Sequence, residues 1–184
     1  MQSNNLIQLL QHISRREMTR FSEFIHSPYH NKHEGVQALT QYLDSIFPDF
    51  SAEKCDRYTI FQALFPGEEH DQQQLAILFT YTLRLFEQFL VQETLKEQDE
   101  VWHLQLLVHL RERKEYDYYE KKQRSTEKWM SKYELRDRNY HHLRFKLASE
   151  SDNYYNQIAR YAKDQSIQHR QNHLDRFYLS EKLR

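Results

Sequence analysis

Apolar residues recur every three or four positions along nearly the whole chain, which is the spacing of amphipathic helices. The strongest run lies between Gln72 and Leu95. Leu75, Leu78, Phe79, Leu83, Phe86, Phe89 and Leu90 share one helical face, and Ile77, Tyr81 and Leu85 form a second stripe about 100° away. A helix with two apolar stripes is expected to be central and buried, with neighbours on at least two flanks. Asp71 with Gln74 has the spacing of a capping box that would fix its start.

The same pattern divides the rest of the chain. A short helix over about Asn5–Ile13 points Leu6, Leu9, Leu10 and Ile13 inward. Ser14 with Glu17 makes a capping box for a second helix carrying Met18, Phe21, Phe24 and Ile25, which Ser27-Pro28 must stop. Asn31 with Glu34 predicts a third capping box, before Val36, Leu39, Leu43 and Ile46. Phe47-Pro48 closes that helix. Asp56 can cap a short helix with Ile60, Phe61, Leu64 and Phe65, ended by Pro66-Gly67 before the acidic loop Glu68-Glu69-His70-Asp71.

After Leu95 the pattern predicts a helix over about Asp99–Arg113 and a partner beginning near Glu115. The partner's inward face, Tyr116, Tyr119, Gln123, Thr126, Met130 and Tyr133, is aromatic but partly polar. Asp137 should cap a long helix with Tyr140, Leu143, Leu147, Ser151, Tyr154, Ile158 and Tyr161 on one face. A last helix begins near Lys163–Ser166 and carries Ile167, Leu174, Phe177 and Tyr178. Short polar connections make sequential helices antiparallel hairpins. Two hairpins in tandem look like the start of a helical repeat; an irregular bundle around the central helix is the alternative, since no fixed period supports a named repeat.

Composition narrows the class. Gly 2 and Pro 3 in 184 residues fall far below the usual ~7% and ~5%, leaving almost no turn residues for a sheet. The expectation is an all-α chain, read as a single helical domain over 1–184 with sub-units over 1–95 and 96–184. Cys55 is the only cysteine, so no internal disulfide can form. With no secretory signal and no apolar run of transmembrane length, the expected setting is the cytoplasm, away from membranes.

Several spacings suggest chemistry. Glu23-x-x-His26 and Glu100-x-x-His103 match the pairs of carboxylate-bridged metal bundles, yet 27 acids and 11 histidines produce roughly one or two such pairs by chance. His26, His30 and His33, and His169 with His173, could share an ion, but Pro28 interrupts the first group and no cysteine joins either. Half-exposed histidines near helix ends are the plainer reading. His33-Glu34 opens like a zincin motif, but position 37 is Gln37. With Gly35 and Gly67 the only glycines, there is no nucleophile elbow, dinucleotide fingerprint or phosphate-binding loop. No catalytic residue, cofactor or metal is assigned, and Cys55 is read as a structural or surface thiol.

Net charge is -1 overall, but unevenly placed. From Arg111 to Lys146 there are 12 Lys and Arg against 7 Asp and Glu, whereas from Ser51 to Leu110 the balance is 4 against 10. Tyr118, Tyr119, Trp129 and Tyr133 interleave the basic stretch, a mixture that can stack on bases while Lys121, Lys122, Arg124, Lys128, Lys132, Arg136 and Arg138 meet phosphates. Acidic residues run through it too, and the pI of about 6.8 is lower than that of most nucleic-acid domains.

Met18 to Lys32, with Phe21, Phe24 and Ser27-Pro28-Tyr29-His30-Asn31-Lys32, resembles the opening of a family of uncharacterised all-helical bacterial proteins, in which Phe is usual at the place of His30. Leu64-Phe65-Pro66-Gly67, Leu174-Asp175-Arg176-Phe177-Tyr178 and Glu181-Lys182-Leu183-Arg184 are similar to later signatures of that family. The resemblance implies an all-helical fold and brings no activity with it. Members continue past the segment resembling Glu181 to Arg184, and the helical pattern here has no stop signal by Leu183-Arg184, so the chain is expected to be an amino-terminal portion that a longer chain would stabilise.

The functional expectation is a non-enzymatic interaction or scaffold module, binding a protein partner or another copy of itself. Ile167, Leu174, Phe177 and Tyr178 are the expected contact, because they need a cover. Nucleic-acid binding through the seven basic residues named above is the first alternative. A metal enzyme with its ion in the helical core is the second.

Overall fold

The computed structural model describes residues 4–69, 71–158 and 166–183. Among these there are nine helices and no strand, so the fold is all-α. The helices are α1 Asn5–Leu10, α2 Arg15–His26, α3 Glu34–Ile46, α4 Arg57–Leu64, α5 Gln72–Glu97, α6 Asp99–Glu112, α7 Tyr116–Met130, α8 Arg138–Gln157 and α9 Ser166–Lys182. His70, Tyr161, Lys163 and Arg184, to which the pattern assigned places, lie outside the described residues. The chain divides into two compact units, Met1–Thr94 and Leu95–Arg184, each with its own core.

In the first unit the helix ends are set locally. Ser14 and Glu17 form a full capping box on α2, and Asp56 accepts from the Tyr58 and Thr59 amides at the start of α4. Asp71 Oδ1 accepts from the Gln73 and Gln74 amides at the start of α5. The expected box of Asn31 with Glu34 does not form. His33 is the cap of α3, its Nδ1 accepting from the Gly35 amide at 3.1 Å. Asn31 instead donates to the Ile25 carbonyl at 3.1 Å and accepts from the His33 amide at 3.0 Å, bracing the turn after Pro28.

The first core is apolar and aromatic. Phe21 of α2 meets Phe86 of α5 edge-on at 4.9 Å and Phe89 at 5.5 Å, and Phe24 meets Phe89 at 5.8 Å. Leu75, Leu78 and Phe79 extend the same buried face of α5 toward α3 and α4. Gly35 matters here: a Cβ would meet Leu78 Cδ2 at 3.0 Å and the His33 ring at 3.1 Å, so α3 can approach α5 this closely only without one. Gly67 has φ +88°, the left-handed turn that ends the segment after α4.

The second stripe of α5 is not enclosed. Ile77 and Tyr81 are each 44% exposed, and of the stripe only Leu85 packs partly against the core; Leu90, expected on the first face, is also exposed. The neighbouring helices cover one face of α5, and its other flank borders a hollow of about 480 Å³ lined by Ile77, Gln74, His33 and Phe65. The long helix is therefore buried on one side rather than two.

The second unit is built differently. Arg138 meets Glu181, His142 meets Phe177, Arg144 meets His173 and Asp152 meets Arg170, so numbers rise along α8 as they fall along α9 and the pair is antiparallel. Contacts of Gln123 with Ser151, Glu127 with Arg144 and Tyr133 with Tyr140 make α7 and α8 antiparallel too. The α6–α7 turn is a Schellman ending, in which the Lys114 amide donates to the Arg111 carbonyl and the Glu115 amide to the Leu110 carbonyl. Lys114 holds the left-handed position, φ 61°, where glycine is usual.

Phe86→Ala should cost about 3–5 kcal/mol in urea denaturation of the whole chain, whereas Tyr81→Ser should stay within about 0.5–1 kcal/mol. Lys114→Gly should raise stability by about 0.5–1 kcal/mol by relieving the left-handed strain.

Candidate functional site

The polar residues that pattern alone cannot place converge inside the second unit. Glu150 and Asp152 of α8 and His173 of α9 are buried. Glu150 is only 4% exposed and needs a partner, because an unpaired buried charge is very costly. Arg111 of α6 supplies it with a two-pronged bridge, Nε to Oε1 at 2.7 Å and Nη2 to Oε2 at 3.3 Å. The carboxylate beside it holds the Arg111 guanidinium protonated above its ordinary range. Tyr119 of α7 stacks on Tyr154 of α8 with ring centroids 4.1 Å apart, and its hydroxyl donates to the Glu150 carbonyl at 3.4 Å. Burial, then the Glu150 charge, pushes the Tyr119 hydroxyl far up, so it stays a donor. On the other side of α8, Asp152 takes a hydrogen bond from Arg170 of α9 at 2.6 Å.

Histidines fill the α8–α9 seam. His173 faces His141 with their Nδ1 atoms 3.5 Å apart, and Arg144 Nε donates to His173 Nε2 at 3.5 Å. Burial first, then Arg144, His141, Arg176 and His169, lowers His173 to about 4. His141 and His142 are lowered in the same direction, chiefly by burial. His142 stacks on Phe177 at 4.7 Å.

The sequence-predicted contact residues fall on these same elements. Ile167, Leu174 and Tyr178 of α9 are 60%, 38% and 58% exposed. At 3.6 residues per turn they share a stripe within about 40°, roughly a third of a turn from the buried His173 face. Phe177 is turned toward α8 and half-buried, because His142 gives it a flat partner. Lys121, Arg124 and Lys128 lie within about 60° of one another on the side of α7 opposite Tyr119, Thr126 and Met130. Lys122 sits over the Tyr118 ring at 5.5 Å, Lys132 and Arg136 belong to the α7–α8 connection, and Arg138 pairs with Glu181 at 2.8 Å. The seven basic residues thus divide between a helical stripe, a ring contact, a connection and an ion pair.

The remaining candidates have structural tasks. His33 caps α3, His30 stacks on Phe24 at 4.0 Å, and His26 Nδ1 meets the Ser22 carbonyl oxygen at 2.7 Å. His103 lies against Trp129 at 4.8 Å and Thr126 Oγ1 at 3.4 Å. Among the described residues no three of His, Cys, Asp and Glu gather as a metal site would require. Burial pushes the Cys55 thiol up, away from an activated thiolate. None of the described helices is long and apolar enough to cross a membrane. No family model matches the chain, and neither the curated proteins nor the solved structures contain a significant match.

His173 gives the second unit a pH dependence with a definite sign. Its folded value of about 4 lies below the ordinary 6.5, so between these the unfolded chain binds more protons and stability falls with falling pH. The stability is full above about pH 6.5 and is lost toward pH 4. Urea denaturation between pH 7 and pH 5 should show this loss, and His173→Gln should flatten the dependence.

Proposed function

We propose that the chain is a non-enzymatic protein-interaction module, and that its contact is the α9 stripe of Ile167, Leu174 and Tyr178. The supporting observation is their exposure along three turns of a helix whose other side is occupied by α8. A stripe at this spacing suits an amphipathic helix of a partner protein, which docks through anchors at successive turns. Three partly exposed side chains fall well short of the ~800 Å² per partner of a stable interface, which argues against a tight dimer built on the stripe alone. Gln171 and Lys182 lie beside the apolar positions and would form a polar rim. The finer architectural reading, helical hairpins stacked as in a repeat protein, agrees with a flank left open for one more helix.

The test is a photo-crosslinking residue in place of Leu174, in the cells that make the protein. The expected result is a discrete adduct with a helical segment of one other protein, lost in Tyr178→Glu and not formed from the same probe at Lys128. An adduct yield at 174 no higher than at 128 overturns the assignment.

A second reading is favoured by one observation, the alignment of Lys121, Arg124 and Lys128 opposite the buried face of α7 with Tyr118 exposed beside them. A single-stranded nucleic acid would place phosphates on the cations and a base on the ring. Glu120 pairs with Arg124 on the same helix and opposes this. The reading predicts retention on single-stranded RNA that weakens steeply with salt, with a shallower salt slope in a Lys121→Gln, Lys128→Gln variant. No retention at low salt removes it.

A further inference from the structure

Between α7, α8 and α9 of the second unit lies a hollow of about 280 Å³, lined by Gln123, Glu127, Arg144, Tyr155, His169 and His173 among others. That is near the lower end of the ~300–1,000 Å³ usual for small-molecule sites, enough for a charged group and a few further atoms. It does not depend on the α9 stripe, whose residues are absent from its lining.

Arg144 is the notable member. Its side chain is 23% exposed, so most of a permanent positive charge is withdrawn from water. Among the described residues it meets two acceptors, His173 Nε2 and a Glu127 carboxylate oxygen. A guanidinium has five N–H donors, so three have no protein acceptor among the described residues. The Glu127 carboxylate is half-exposed at the rim, where an ion pair is screened and weak. A second anion could displace it at little cost.

The other lining groups supply donors. His173, accepting from Arg144 at Nε2, carries its proton on Nδ1 toward His141 and acts as a brace behind the guanidinium. His169, exposed one turn earlier on α9, offers a ring N–H. Gln123 donates one amide N–H to Ser151 at 2.8 Å and keeps the other, and Ser151 gives its hydroxyl proton to the Leu147 carbonyl at 3.0 Å, which holds Gln123 in place. Tyr155 adds a phenol.

We infer that this hollow is a receptor for a small phosphate-bearing molecule, with the Arg144 fork as the primary ligand and Glu127 as a displaceable latch. A tetrahedral oxyanion presents more acceptor oxygens than a carboxylate and can engage the guanidinium, His169, Gln123 and Tyr155 together. Burial first, and the Arg144 and Arg176 charges after it, keep His173 neutral, and an entering anion would meet those two guanidinium charges.

The probe is inorganic phosphate, titrated against the full chain with sodium chloride and succinate at matched ionic strength. Phosphate should raise the unfolding midpoint by several degrees beyond chloride and move the His169 and His173 ring-proton resonances, saturating as a single site. Arg144→Gln should abolish both effects. Because that variant loses a buried contact and could unfold, the exposed His169→Gln serves as a second: it should keep the phosphate-free midpoint and weaken apparent affinity roughly tenfold, as loss of one charge-assisted hydrogen bond does. Phosphate acting no better than chloride, a full effect in a folded Arg144→Gln, or succinate matching phosphate would each overturn the assignment.

Discussion

A carboxylate buried inside a helical unit cannot be left alone, and the second unit is arranged around that constraint. Glu150 draws Arg111 from α6 into a two-pronged bridge, and the Tyr119–Tyr154 stack closes over it. Removing one partner of such a pair is far more destabilising than replacing both with apolar groups, because the loss is mostly the stranded charge. What the pair contributes is therefore definition: it fixes the rotation of α6, α7 and α8 about their own axes. Once those rotations are set, α8 presents Arg138, His141, His142, Arg144 and Asp152 to α9, and α9 answers with Glu181, Phe177, His173 and Arg170. The apolar stripe of Ile167, Leu174 and Tyr178 is left outside as a result.

The first unit follows the opposite logic. Its core is a run of Phe, Leu and Ile from α1 to α5 with few polar intruders, held by area and ring packing. There the sequence pattern is a faithful guide, because burial and hydrophobicity coincide. The starts of α2, α4 and α5 were legible from Ser14, Asp56 and Asp71, since a cap depends on three or four neighbouring residues. The cap of α3 was not, because His33 and Asn31 both have an acceptor in reach and only the turn after Pro28 decides which is used. The second stripe of α5 departs from its pattern for a related reason. Periodicity reports that a face is apolar, not that a neighbour exists to cover it: Ile77 borders an open hollow and Tyr81 is 44% exposed.

Legibility falls further in the second unit. The outward basic stripe of α7 and the apolar residues of α9 could be listed from spacing, but Glu150, Asp152 and His173 could not be recognised as interior, since their character argues for the surface. The one sequence signal was indirect: the inward face of α7, with Tyr119, Gln123 and Thr126, is too polar to bury against hydrocarbon alone. A polar face in a helical core implies polar partners opposite it, and α8 carries them at Glu150 and Ser151. The Arg144 hollow arises from the same network, and no linear motif announces it.

The direct test is a double-mutant cycle on Glu150 and Arg111, read by urea denaturation of the full chain at pH 7. The account predicts that Glu150→Ala and Arg111→Met each cost about 3–5 kcal/mol and that the double variant recovers most of one of these losses. Losses that simply add, with no coupling between the two positions, would show that the second unit is not organised around this buried pair.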